Sequence, residues 1–78
     1  MIKVLLFAEL SEQANASELE LDVVGQTIAQ LKEILAHDFP NMSISNGTMI
    51  AVNEEYALDE QVINKGDVIA LIPPVSGG

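Results

Sequence analysis

The spacing of hydrophobic and polar positions changes several times along this chain, and each change marks an element. Met1 to Ala8 is apolar on both sides of an extended chain. Ile2, Val4 and Leu6 share one face and Lys3, Leu5 and Phe7 the other, which predicts a strand covered on one side and apolar on the other. Ser11 to Ser17 is polar, with Asn15 suited to a turn, and reads as loop. Glu18 to Val23 then alternates strictly, Leu19, Leu21 and Val23 inward and three acids outward, the pattern of a half-exposed strand in a hairpin with the first. From Thr27 the period lengthens. Ile28, Leu31, Ile34 and Leu35 make one helical stripe, Thr27 and Gln30 have the spacing of a capping box, and Phe39-Pro40 ends the helix. Asn41 to Thr48 is expected as loop, anchored by Met42 and Ile44 and turning at Asn46-Gly47. Met49 to Asn53 predicts a third strand, Glu54-Glu55 a tight turn, and Tyr56-Ala57 a short strand. Leu58 to Ile63 is expected as a helical turn or irregular cover. Asn64 to Asp67 turns into a last apolar strand, Val68 to Ile72, which Pro73 and Pro74 end because neither can donate to a ladder.

The order is strand, strand, helix, strand, short strand, strand. One main helix covers one face of a mixed sheet of about five strands, an α+β domain in two layers. The first and last strands, apolar on both faces, belong at its centre side by side and parallel. That arrangement is the ubiquitin-like β-grasp. It predicts a β-grasp domain over residues 1–72 and a flexible tail over 73–78. The helix stripe covers Ile2, Val4, Leu6, Ile69 and Leu71, so Leu5, Phe7, Val68, Ala70 and Ile72 fall on the uncovered face. An apolar face leading straight into a tail is expected to dock a partner protein, with Phe7 and Ile72 as anchors.

Composition narrows the functional classes. At 78 residues the chain has room for one domain near the lower size limit for an unaided core. The absence of cysteine removes disulfides, cysteine-ligated metals and any thiol nucleophile. Twelve acids against Lys3, Lys32 and Lys65 give a formal charge of −9, which repels nucleic acid and anionic lipid and favours basic protein partners. The longest early apolar run, Val4 to Ala8, is too short for a membrane span, so a cytoplasmic location is expected.

Side-chain chemistry is sparse. His37 has no second histidine to share a metal with and sits near the helix end, where a cation is mildly favoured. The acid pairs Glu54/Glu55 and Asp59/Glu60 fall in turns, and the glycines form no phosphate-binding loop. The chain is therefore not expected to be catalytic alone, and no metal or bound cofactor is expected. What remains is the tail Pro73-Pro74-Val75-Ser76-Gly77-Gly78. Stretched, it reaches roughly 20 Å. Gly77 and Gly78 have no Cβ and fit a channel that excludes other residues. The α-carboxylate of Gly78 becomes reactive if a partner enzyme adenylates it with ATP. A sulfur nucleophile then gives a thiocarboxylate, and a lysine amine an isopeptide; these residues permit both.

Gly66-Asp67 followed by Val68 through Pro73-Pro74-Val75-Ser76-Gly77-Gly78 resembles the ending of the small, sulfur-carrying subunits of molybdopterin synthase. Met1 to Ala8 is similar to that family's opening strand, and Ala51-Val52-Asn53 to its third. The resemblance implies that an E1-like activating enzyme adenylates Gly78, which is then thiocarboxylated. The loaded tail enters a large catalytic subunit, where cyclic pyranopterin monophosphate receives two sulfurs to form the dithiolene of molybdopterin. It also implies a heterotetramer of two small and two large subunits, with catalytic side chains on the large ones, and it places Phe7, Tyr56 and Ile72 at the subunit interface. Leu5 and Ala70 belong to the same face by alternation. Where members commonly carry Arg-Glu and a nearby Gly, this chain has Ser11-Glu12 and Asn15, so a basic contact near Ser11 is missing. Other readings are a sulfur carrier for thiazole synthesis or tRNA thiolation, a ubiquitin-like modifier joined to lysines through Gly78, and an interaction module whose tail is idle.

Overall fold

Seven elements follow one another in the computed structural model, which describes residues 1–42, 44 and 47–74. They are β1 (Ile2–Leu6), α1 (Ala8–Ala14), β2 (Glu18–Leu21), α2 (Ile28–Asp38), β3 (Met49–Val52), β4 (Glu55–Tyr56) and β5 (Val68–Ile72). The strands form a single mixed sheet in the order β2-β1-β5-β3-β4. β1 and β5 run parallel at its centre, and the other neighbours are antiparallel. With α2 across one face, this is the expected β-grasp.

Strand alternation sets the layers. Ile2, Val4, Leu6, Ile69 and Leu71 are buried and join Ile28, Leu31 and Leu35 of α2 in one core, with Ile50 and Val52 of β3 beside them. Ile34, at the edge of the helical stripe, is only partly buried. Met42 is in the core and Ile44 packs against it, so both expected anchors hold their loop, whose turn at Asn46-Gly47 falls partly outside the described residues.

α2 begins as its sequence predicts. Gln30 N–H donates to Thr27 Oγ1 at 3.2 Å and Thr27 N–H donates to Gln30 Oε1 at 2.8 Å, a complete capping box. Thr27→Ala is expected to lower stability by about 1 kcal/mol. The measurement is a fall in urea midpoint at unchanged slope; an unaltered midpoint would show that water replaces the lost bond to Thr27 Oγ1 without cost.

The polar stretch expected as loop is instead largely the short helix α1. Nothing periodic announces it, because only Leu10 of its seven residues is buried, and its N-cap, Phe7, offers no side-chain bond. Seven residues do not hold a helix in water. Here Leu10 inserts into the core fully buried, and tertiary packing supplies what propensity lacks. Asn15 ends the helix in the left-handed region at φ 56, with Asn15 N–H bonded to Glu12 O and Ala16 N–H to Ser11 O. This is the Schellman closure that glycine usually makes, and asparagine is the next residue able to adopt it.

The next tight turn also differs from expectation by one residue. Asn53 and Glu54 occupy its centre, at φ 53 and φ 73, and Glu55 already belongs to β4. Contacts distant in sequence fix it. Val68 N–H donates to Asn53 Oδ1, Asn53 Nδ2 donates to Asp67 Oδ1, and Asn64 N–H donates to Asp67 Oδ2. These bonds tie the β3–β4 turn to the turn before β5.

Candidate functional site: the open sheet face and the tail

Register determines which side chains share the face that α2 leaves uncovered. Leu5 lies opposite Ala70 across the parallel pair and Lys3 opposite Val68. Ala70 pairs with Ala51, Ile72 with Met49, and Ala51 with Tyr56. Partners in register point the same way, so Leu5, Val68, Ala70, Ile72, Met49 and Tyr56 lie on one surface, and Phe7 continues it beyond β1. Phe7 is 47% exposed, Met49 46% and Tyr56 68%, high values for large apolar side chains that a folded chain normally hides. The small side chain of Ala70 leaves a hollow among larger ones. Leu5, Phe7, Val68 and Ala70 line it with Asn53 and Glu54.

Of the residues expected here, Leu5, Phe7 and Ala70 meet in the hollow, while Tyr56 and Ile72 share the face outside its lining. Met49 is a further member, legible in the alternation of Met49 and Ala51 against the buried Ile50 and Val52. Asn53 and Glu54 carry no apolar signal, and only the turn's geometry brings them in.

Acids border the apolar strip. Glu18 and Glu20 of β2 sit opposite Leu5 and Lys3 on the same face. Lys3 Nζ approaches Glu18 Oε2 at 3.7 Å, an exposed pair of little energetic weight. With Glu54 at the turn, the surface offers an apolar centre and an acidic margin. A partner that fits brings apolar side chains ringed by basic ones.

β5 delivers the chain from this face to the tail. Pro73 is partly covered and Pro74 exposed, and Val75, Ser76, Gly77 and Gly78 lie outside the described residues. The histidine is elsewhere. His37 is exposed near the C-terminal end of α2, with Nδ1 3.0 Å from Asp38 Oδ1. Among the described residues, no group of three or more metal-binding side chains comes together, and no helix is long and apolar enough to cross a membrane.

Relatives agree with this layout. A protein from Arabidopsis thaliana named molybdopterin synthase sulfur carrier subunit is 37% identical, over 99% of this chain and 82% of its own length. A solved structure from Pyrococcus furiosus, described as putative molybdopterin converting factor, subunit 1, superposes with a TM-score of 0.78 at 27% identity, covering 95% of this chain and 97% of that one. The small archaeal modifier protein 1 of Methanosarcina acetivorans superposes with a TM-score of 0.80, also at 27% identity, covering 99% and 95%. The sequence profile of the ThiS family matches residues 4–78, from the central strand through the glycine pair. With a β-grasp body and a family profile that spans residues 4–78, this chain belongs to the ThiS family.

Proposed function

We propose that this chain is the sulfur carrier subunit of a molybdopterin synthase. The observation that carries the reading is its similarity, over nearly its whole length, to a protein of that name. Gly78 is the working residue. An E1-like enzyme uses ATP to convert its carboxylate to an acyl adenylate, releasing pyrophosphate. A sulfur nucleophile then displaces AMP and leaves a thiocarboxylate. The large catalytic subunit covers the open face, and the tail, leaving from the end of β5, enters its active site. There the thiocarboxylate sulfur bonds to a carbon of cyclic pyranopterin monophosphate, and water then cleaves the acyl carbon–sulfur bond, leaving the sulfur on the pterin and returning Gly78 as a carboxylate. The tail holds one sulfur and the dithiolene needs two, so each product consumes two loaded tails, in keeping with an assembly of two small and two large subunits. No side chain of this chain is needed for the chemistry; its body docks and its tail delivers.

The likeness to an archaeal modifier protein favours a second reading, attachment of Gly78 to lysines of other proteins. Intact-mass analysis after incubation with the activating enzyme, ATP and a sulfur source separates the two. Exchange of one oxygen for sulfur at Gly78, followed by molybdopterin once the large subunit and cyclic pyranopterin monophosphate are added, is the expected result. Lysine adducts without a thiocarboxylate would move the assignment to the modifier, and an unchanged mass would remove both.

A further inference from the structure

Four residues other than glycine have positive φ among the described residues: Ala8, Asn15, Asn53 and Glu54. Two are asparagines, which tolerate the left-handed region. The costly pair is Ala8 and Glu54. Ala8 follows Phe7 directly and Glu54 lines the hollow itself, so both strained positions adjoin the same open-face concavity.

Glu54 is the more informative. With φ positive at both central residues, its turn has the geometry that favours Asn-Gly, and asparagine is already in place. Glycine at 54 would make the same turn with less strain and one less negative charge, in a chain whose formal charge is already −9. The Glu54 carboxylate is exposed and takes part in none of the ion pairs of the described residues. Solubility does not explain a twelfth acid in a strained position. The turn is also held from outside by the bonds of Asn53 to Asp67 and Val68, which fix where residue 54 stands relative to Val68. Strain that the surrounding structure holds in place beside a docking surface marks a group kept for contact.

We infer that Glu54 is a specificity-determining contact: it meets a lysine or arginine of the large catalytic subunit at the margin of the open face. The inference rests on the sulfur-carrier reading. Charge selects the occupant: the apolar hollow selects for fit and the carboxylate at its edge for a basic neighbour.

The test compares wild-type chain, Glu54→Gly and Glu54→Gln, measuring affinity for the purified large subunit by calorimetry at low and high salt, with thermal unfolding in parallel. Glu54→Gly is expected to unfold about 4 °C higher, because the left-handed position no longer carries a Cβ. Both variants are expected to bind on the order of fivefold more weakly at low salt, a difference that shrinks at high salt as the lost ion pair would have been screened. Unchanged affinity of Glu54→Gly overturns the inference, as does a Glu54→Gln variant that keeps wild-type affinity and salt dependence. An unfolding temperature that falls in Glu54→Gly overturns the strain argument on which it is built. If the affinities change only toward the activating enzyme, the occupant is wrong and the inference falls. A wild-type chain that does not bind the large subunit overturns the carrier reading itself, a result distinct from all of these.

Discussion

Deletion of Gly78 is expected to abolish sulfur transfer while sparing the fold. Among the described residues the last buried one is Leu71 and the last strand ends at Ile72, and a glycine carries no side chain, so the deletion is expected to leave the core intact. The unfolding free energy should stay within about 0.5 kcal/mol of wild type, as for a substitution remote from packed features. The chemistry has no such tolerance. The new terminal carboxylate, on Gly77, falls short of its former position by roughly 3.3 Å of extended chain. A misplacement of about 1 Å can cost a factor of about 100 in rate, so molybdopterin formation should drop at least that far. Intact mass after treatment with the activating enzyme locates the loss. A thiocarboxylate that still forms on Gly77 would place the defect in the large subunit's active site; its absence would place it in activation. A truncated chain that sustains the wild-type rate would end the proposal that Gly78 carries the sulfur.

The burial periods made most of the body legible from sequence. Ile2, Val4 and Leu6 alternate because α2 covers one side of β1, and Ile28, Leu31 and Leu35 recur at helical spacing because the same core faces them. Parallel pairing of β1 with β5 followed from their apolar character on both faces. The short helix α1 was not legible, since two turns with one buried residue contain no repeat and Leu10 acquires its meaning only where it docks. The position of the β3–β4 turn was off by one because Asn53 is fixed by Asp67 and Val68, contacts that no local pattern encodes. At the site, Leu5, Phe7, Ala70 and Ile72 came from alternation and Tyr56 from resemblance. Glu54 lay beyond reach, since what distinguishes it from the chain's other acids is a backbone angle.

Replacing Phe7 by aspartate is expected to break the complex with the large subunit while sparing the fold. Phe7 is 47% exposed and outside the buried core, so its removal opens no cavity. It is also the N-cap of α1, where its side chain caps nothing. Aspartate is among the best N-cap residues, able to accept a bond from the first turn. Phe7→Asp is therefore expected to leave the unfolding midpoint unchanged or slightly raised. Binding moves the other way. An aromatic anchor at an interface centre is commonly worth 2 kcal/mol or more, so about 30-fold in affinity is lost with the ring alone. The substitution also buries an unpaired carboxylate, a further cost of several kcal/mol, on a face already bordered by Glu18, Glu20 and Glu54. A loss of at least about 100-fold is expected by calorimetry. Ile72→Asp should act in the same direction with some loss of stability, because Ile72 is partly buried against Met49 in the ladder. Glu33→Gln, on the exposed side of α2, serves as the control and should leave affinity unchanged. Should Phe7→Asp and Ile72→Asp bind as tightly as wild type, the partner must cover some other surface, and the open sheet face would need another explanation for its exposed apolar side chains.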